Sequence, residues 1–493
     1  MPALDTEASS GPVDASPAGP ASPVADSSSA TPAAATVAAP APVAAPAADT
    51  APVPGAGPAT GTVRVTDTSS AAAPPAEPAA PAAPGERSER SERSDATKLS
   101  PGDPGHGRMR LALFAAGLST FALLYSTQAL LPEISQALHA APEQASWTVS
   151  GATVGLAVAV LPLAALSERF GRRRMLTVSL AVAVALALVI PFAPSLPVLI
   201  ALRTLQGAAV AGVPASAMAF LSDEVRARHL VGAVGLFVAG NSVGGMSGRI
   251  LTGWVTEAWG WRAGLGAVAV TSLLCAVAFR LLVPPARHFT PAPLHPRRVA
   301  ATVRAHLGNP LLLRLYAIGL LFMVVFGAVY TVIGYRLVAE PFGLSQGLVG
   351  SVFAIYLVGT AASATAGRLN ARLGRRGTLY LGIGTASAGL LISLADSLAA
   401  VVAGLVLITA GFFAGHAVAS GSVSRTAAHG AAQASALYQM SYYVGSSLGG
   451  ALGAVAFAAA GWAATVALAL GAMVLAAGIT LYASRRAAVP ARA

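Results

Sequence analysis

The chain has 493 residues, of which 55% are hydrophobic and only 10% charged, and its mean hydropathy is +0.66. A soluble domain this apolar would aggregate, so the composition excludes an ordinary globular protein. A formal net charge of +11 invites a nucleic-acid reading. The basic residues, however, sit in short loops between apolar stretches and build no continuous basic face, so no nucleic-acid partner is expected.

Residues 1–107 are rich in Ala, Pro and Ser, carry 19 of the 34 prolines and include ERSERSERSD at 86–95. Such a composition cannot bury a core, and a disordered cytoplasmic tail is expected there, with no secretory leader. From Leu111 onward twelve apolar segments follow, centred near residues 121, 156, 184, 208, 243, 273, 324, 358, 387, 410, 446 and 473. Each is long enough to cross roughly 30 Å of hydrocarbon as a helix, whereas a barrel would show segments of about ten residues with alternating polarity. The sequence therefore specifies an all-α polytopic membrane protein with twelve transmembrane helices, spans 1–12, embedded in a lipid bilayer.

Charge sets the orientation. Beyond residue 104 there are 26 basic residues, of which 22 fall on the face shared by the termini; Arg262 and Arg336 lie opposite, and Arg203 and Arg249 lie within spans. That asymmetry places both termini in the cytoplasm. LSERFGRRR at 166–174 is then the loop between spans 2 and 3, held inside by Arg172, Arg173 and Arg174. The single cysteine, Cys275, lies in an apolar segment, so no disulfide, metal cluster, redox pair or cofactor is expected.

The order of residues in that loop returns later in the chain. ALSERFGRRR (165–174) recurs as RLNARLGRRG (368–377), GNSVGG (240–245) recurs as GSSLGG (445–450), and Tyr125 is matched by Tyr330. A repeat of this length implies two six-helix halves. The expected divisions are the tail 1–107, an N-terminal bundle 108–285, a Pro/His/Arg-rich cytoplasmic linker 286–311, a C-terminal bundle 312–485 and a short cytoplasmic tail 486–493.

These residues resemble the major facilitator superfamily over nearly everything after residue 107. That family's loop signature, G-x-L-x-D-R-x-G-R-R, is approached by Ala164, Leu166, Glu168, Arg169, Gly171, Arg172 and Arg173, with Ala164 in place of the glycine and Glu168 in place of the aspartate. In the second half Ala371 loses the carboxylate. RTLQG (203–207) is similar to the family's R-x-x-Q-G signature, and span 5 is similar to its G-P-x-x-G-G antiporter signature, with Asn241 where the proline would stand. YSTQALLP, GNSVGGMSGR, WGWR, RHF, GYRL and SYYVGSS together resemble one bacterial branch whose members are usually labelled drug or arabinose efflux permeases. The resemblance implies two bundles that rock about a central cavity in the bacterial inner membrane, with a small-molecule substrate near the midplane.

On that frame Glu168, Arg169, Gly171 and Arg172, with Arg372, Gly374 and Arg375 of the second half, are either topological anchors or a conformational latch. In the latch, Glu168 meets the positive N-terminus of span 11 near residue 434. Gly240, Gly244 and Gly245, with Gly445, Gly449 and Gly450, form either a sliding interface or static helix packing. Arg203 either faces the cavity as the main substrate or coupling residue or bonds to carbonyls of a neighbouring span; Arg249 either serves the site or snorkels outward. No Asp or Glu lies well inside a span, which leaves the coupling open: Glu133 stands at the outer end of span 1, and His416, the only histidine within a span, either titrates or only packs. Tyr125, Gln128, Gln206, Asn241, Tyr330, Tyr438, Gln439 and Tyr442 lie on spans that line the cavity in this family and suit a neutral or weakly polar solute. The expected function is a monomeric secondary active exporter of drug-like molecules or sugars, driven by protons. An importer of a small metabolite and a non-transporting membrane sensor are the alternatives, and no catalytic constellation points to an enzyme.

Overall fold

The computed structural model describes residue 95 and residues 97–291, 296–427 and 429–488. The expected tail at 1–94 therefore lies outside the described residues, as does 489–493 of the C-terminal tail. Among the described residues nine helical stretches are long and apolar enough to cross a membrane. Three of these pass through a non-helical turn, at Gly260, at Gly374 and at Ala460–Gly461, and each of the three is two crossings, which makes twelve in all.

Span 1 is Pro104–Leu124, continued after a break by the 3-10 turn Gln128–Leu130 and the helix Leu131–Ala137. Span 2 is Pro142–Phe170, span 3 is Arg172–Val189, and span 4 is Leu196–Val210 with Gly212–Glu224. Spans 5 and 6 share Ala227–Leu282 and divide at Gly260. A helix, Pro296–Leu307, lies within the expected linker, and span 7 is Pro310–Val338. Span 8 starts with Gln346–Ser351 and shares Tyr356–Ile392 with span 9; span 10 is Leu398–Thr426, and spans 11 and 12 share Ala431–Ala488.

Local chemistry sets these boundaries. Pro104, Pro142 and Pro310 open spans 1, 2 and 7, where a missing N–H removes no helical bond. Asn309 caps span 7 by accepting from the amides of Leu311 (2.9 Å) and Leu312 (3.3 Å). Gly171 and Gly374, the repeat-related glycines of the two basic loops, turn the chain at φ of 100° and 68°. Any side chain would be strained there, so the loop signature needs glycine for its turn as well as arginine for its charge.

The repeat is also visible in packing. Span 5 lies on span 1 and span 11 on span 7. A Cβ at Gly244 would overlap the main chain of Leu118, and one at Gly449 would overlap that of Val324 in the equivalent place. Gly240 and Gly445 make the same close approach one turn earlier. These four glycines therefore pack spans within a half. Gly245 and Gly450 differ, because they border Arg249 and, across the halves, Ser150 of span 2.

The halves meet at the face opposite the termini. Ser135 and Tyr335 hydroxyls lie 2.6 Å apart, Tyr335 donates to the Leu131 carbonyl (3.0 Å), and Gln346 donates to the Ala129 carbonyl. Glu257 accepts from the Gly347 amide (2.7 Å), and the Trp254 indole donates to Ser351 (2.9 Å). Midway down, Ser150 donates to the Ser447 carbonyl (3.2 Å). One boundary is corrected: residues 97–107 were expected as tail, yet Leu99 pairs with the chain around Val225, and the first helix starts at Pro104. The apolar Leu99 side chain is half-buried against the core of the first half, which outweighs the flanking polar composition.

Candidate functional site

The site begins with a break in span 1. The helix stops at Leu124, and the chain resumes in a 3-10 turn at Gln128. A helix that ends inside a protein leaves its last carbonyls without partners. Arg203 of span 4 meets that need, since its Nη1 donates to the Leu123 carbonyl (2.7 Å) and its Nη2 to the Leu124 carbonyl (2.5 Å). It also donates to the Ser126 hydroxyl (3.2 Å), the Thr148 carbonyl of span 2 (3.1 Å) and the Gln206 side chain (2.5 Å). Gln206 in turn donates to the Ala183 carbonyl of span 3 (3.1 Å). The cationic fork thus sits at the negative end of a helix dipole and ties four spans together.

Of the two readings of Arg203, bonding to carbonyls of neighbouring spans is the one made in this structure. Its side chain has no exposed surface, and its fork is engaged by protein acceptors. The physical reason is the broken helix, whose Leu124 carbonyl accepts from Arg203 and whose Leu123 carbonyl accepts from both Arg203 and the Ser126 hydroxyl (3.1 Å). Gln206 is likewise buried in this network rather than presented to a solute.

The break aims two side chains at span 5. Gln128 accepts from Arg249 Nε (2.8 Å) and Nη2 (2.6 Å), and the Tyr125 ring lies 4.5 Å beneath the guanidinium carbon. From the other half Phe353 (4.8 Å) and Tyr356 (4.9 Å) complete an aromatic cage, and Arg249 Nη1 donates to the Gly245 carbonyl of its own helix. Arg249 is 2% exposed, so it does not snorkel. Cation–π attraction strengthens where the cation is desolvated, and this cage binds span 5 of one half to span 8 of the other.

Beyond the cage the rings continue. Tyr356 stands edge-on to Tyr330 (5.2 Å) and tilted to Phe326 (5.3 Å), and Phe326 stacks on Phe412 (4.1 Å). Phe412 stacks on His416 at 5.8 Å, and His416 Nδ1 lies 2.9 Å from the Tyr438 hydroxyl with Tyr442 4.8 Å away. Tyr330 is buried with its hydroxyl on Thr409 (2.6 Å), so it packs rather than lines a cavity. Tyr442, His416 and Gln439 are half-buried. Asn241 keeps a buried side-chain oxygen with no hydrogen-bond partner among the described residues. Among these residues no group of three or more His, Cys, Asp or Glu is placed to hold a metal.

The latch expected from Glu168 to span 11 is not made in this structure: Glu168 is half-buried and has no hydrogen bond or ion pair among the described residues. The hydrogen bonds between the halves gather instead at the opposite face. Arg169 instead lies over Phe170 (5.4 Å), and Arg172 pairs with Asp223 at the end of span 4 (3.6 Å). In the second half Arg372 is exposed, while Gly374 and Arg375 line a cavity of about 280 Å³ with Asn370, Ser422, Arg425 and Thr426.

Sequence reasoning missed Phe353, Tyr356 and Glu224. Glu224, 2% exposed, accepts from the Arg287 amide (2.7 Å), the His288 amide (2.9 Å) and His288 Nδ1 (3.0 Å), anchoring the start of the linker to span 4. The only sequence signal for it was an acidic pair, Asp223–Glu224, at the end of a span in a chain otherwise poor in acid.

Known proteins share this architecture. The Major Facilitator Superfamily pattern matches residues 111–339 and again 315–492, once for each half. The chain is 37% identical over 333 residues to the uncharacterized MFS-type transporter YybF of Bacillus subtilis, covering 68% of this chain and 82% of that one. It is also 37% identical to the inner membrane transport protein YnfM of Escherichia coli, covering 65% and 76%. A bacterial homologue of the human lysosomal transporter Spinster, solved inward-facing and unoccupied, superposes with a TM-score of 0.65 over 78% of this chain and 98% of its own at 16% identity, a likeness of fold. With the pattern matched in both halves and relatives of this identity along most of their length, the chain belongs to the Major Facilitator Superfamily.

Proposed function

We propose that this chain is an alternating-access secondary transporter that exports small organic molecules, drug-like compounds or sugars, in exchange for protons. It works as a monomer in the bacterial inner membrane, with both termini in the cytoplasm. The bundles are 104–285 and 312–485, joined by the linker 286–311. The observation that carries the reading is that the contacts between halves gather at the face opposite the termini, around the Arg249 cage, so that one face is closed. Two similar halves that meet at one end can exchange that contact for one at the other.

In this reading Glu168 finds the start of span 11 only when the face bearing the termini closes, and Arg169, Gly171 and Arg172 shape its loop. His416, bonded to Tyr438 and half-buried between spans 10 and 11, is the group that exchanges the proton. Asn241, standing where the antiporter signature has proline, favours import as the second reading.

Solute accumulation in everted membrane vesicles, across a panel of dyes and pentoses with and without an imposed pH gradient, tests both. Uptake that rises with an acid interior supports the exporter. Accumulation only in right-side-out vesicles selects the importer, and no movement of any solute in either orientation overturns transport of this panel.

A further inference from the structure

The two buried charges that lie within spans away from their ends, Arg203 and Arg249, are both positive. Arg249 lies within span 5, 2% exposed, and no carboxylate forms an ion pair with it among the described residues. The nearest acid on its own helix, Glu257, is eight residues further along, about 12 Å at a helical rise of 1.5 Å per residue, and its carboxylate is already bonded to the Gly347 amide. What faces Arg249 from each neighbouring element is neutral: Tyr125 and Gln128 from span 1, the Gly245 carbonyl, and Phe353 and Tyr356 from span 8.

A guanidinium has five N–H donors. Here Nε and one N–H of Nη2 go to Gln128, and one N–H of Nη1 goes to Gly245, which leaves one on each Nη. The Tyr356 ring that lies under the guanidinium also carries a buried hydroxyl with no partner among the described residues. A buried cation without a counter-charge is costly, and its cage is a ready site for a planar anion that would supply both the charge and the acceptors.

We propose that this cage is the substrate's anion subsite, so that the transported solute is an organic anion carrying a carboxylate. The inference rests on the transport reading above for its biological meaning but not for its test. It replaces the neutral solute expected from the cavity side chains, because the polar groups near the cage answer to a fixed positive charge.

Thermal unfolding of the purified full-length protein in detergent, followed by tryptophan fluorescence, tests it with benzoate and its neutral and cationic counterparts, benzamide and benzylamine. Benzoate should raise the melting temperature in a saturable way, and neither of the others should. Gln128→Glu sets a carboxylate where an acceptor already lies within bonding distance of Arg249; it should raise the melting temperature of the free protein and weaken the benzoate response at least about tenfold, since the cage then holds its own counter-ion. Arg249→Lys, which keeps the charge but not the fork, should fall between the two. Equal stabilisation by benzamide, preference for benzylamine, no benzoate effect on the unmodified protein, or an undiminished effect in Gln128→Glu each overturns the proposal. The measurement uses no membrane or gradient, so a failure of transport and a failure of anion binding are read separately.

Discussion

Arg203 donates to the carbonyl of Leu124 at the point where span 1 breaks, and so a residue of span 4 caps a helix of span 1. The consequence reaches further, because the break places Tyr125 and Gln128 against Arg249. Arg203 acts on the cage by positioning these residues. Replacing it with alanine leaves the buried Leu124 carbonyl without the donor it has here, at a cost of about 1–3 kcal/mol, and removes one of the bonds made to the Leu123 and Thr148 carbonyls. Arg203→Ala should therefore unfold at a clearly lower temperature in detergent and lose transport, whereas lysine, with one cationic head, should recover only part of the stability. An alanine variant as stable as the parent would show that the carbonyls find other donors.

Gly244 offers a cleaner test of helix packing. A methyl group there would run into the backbone of Leu118, and backbone cannot step aside cheaply, so Gly244→Ala should cost about 1–3 kcal/mol by overpacking. Gly266 has nothing within 4 Å of the same imagined atom, so Gly266→Ala is the control and should unfold like the parent. The comparison is made by thermal unfolding of the two variants side by side.

Why some of this was legible in the sequence and some was not follows from the physics of each signal. Twelve spans and two halves could be read because lipid demands long apolar helices and because the repeat was spelled out in GRRR and GRRG. Arg203 stood out as a charge inside a span, but its direction did not, since Ser126, Thr127 and Gln128 mark a polar patch in span 1 without saying that the helix breaks there. Phe353 and Tyr356 were silent because aromatic residues in a span are ordinary core. Only the pairing of span 8 with span 5 makes them a cage.

Glu168→Gln tests the latch. Removing the charge takes away attraction to a helix N-terminus worth about 0.3–1 kcal/mol, an effect on the exchange between conformations rather than on the solute. The initial rate of transport in vesicles should fall while the half-saturating concentration stays the same. Equal rates at matched expression would reduce Glu168 to an anchor.

The last prediction concerns the border of the N-terminal segment. Deleting residues 2–94 should leave insertion and stability as they are, because the basic loops that orient the chain lie downstream. Extending the deletion to residue 100 removes more than composition suggests. Lys98 donates to the Ser222 carbonyl (2.9 Å) and accepts from Arg226 (3.1 Å), and Leu99 bonds the chain on both sides of Val225 (2.8 and 3.2 Å). Each partly exposed bond contributes about 0.5–1.5 kcal/mol, and Leu99 adds apolar contact with the core of the first half. The longer deletion should therefore melt measurably lower than the shorter one, and trypsin should cut faster at Arg287, whose amide is held by the neighbouring Glu224. Glu224→Gln in the full-length chain should reproduce the faster cleavage without the lower melting temperature expected from losing Leu99, which separates the linker anchor from the strap that covers it. If both deletions melt and cleave alike, residues 95–100 do not hold the end of span 4, and the border of the folded region lies at Pro104.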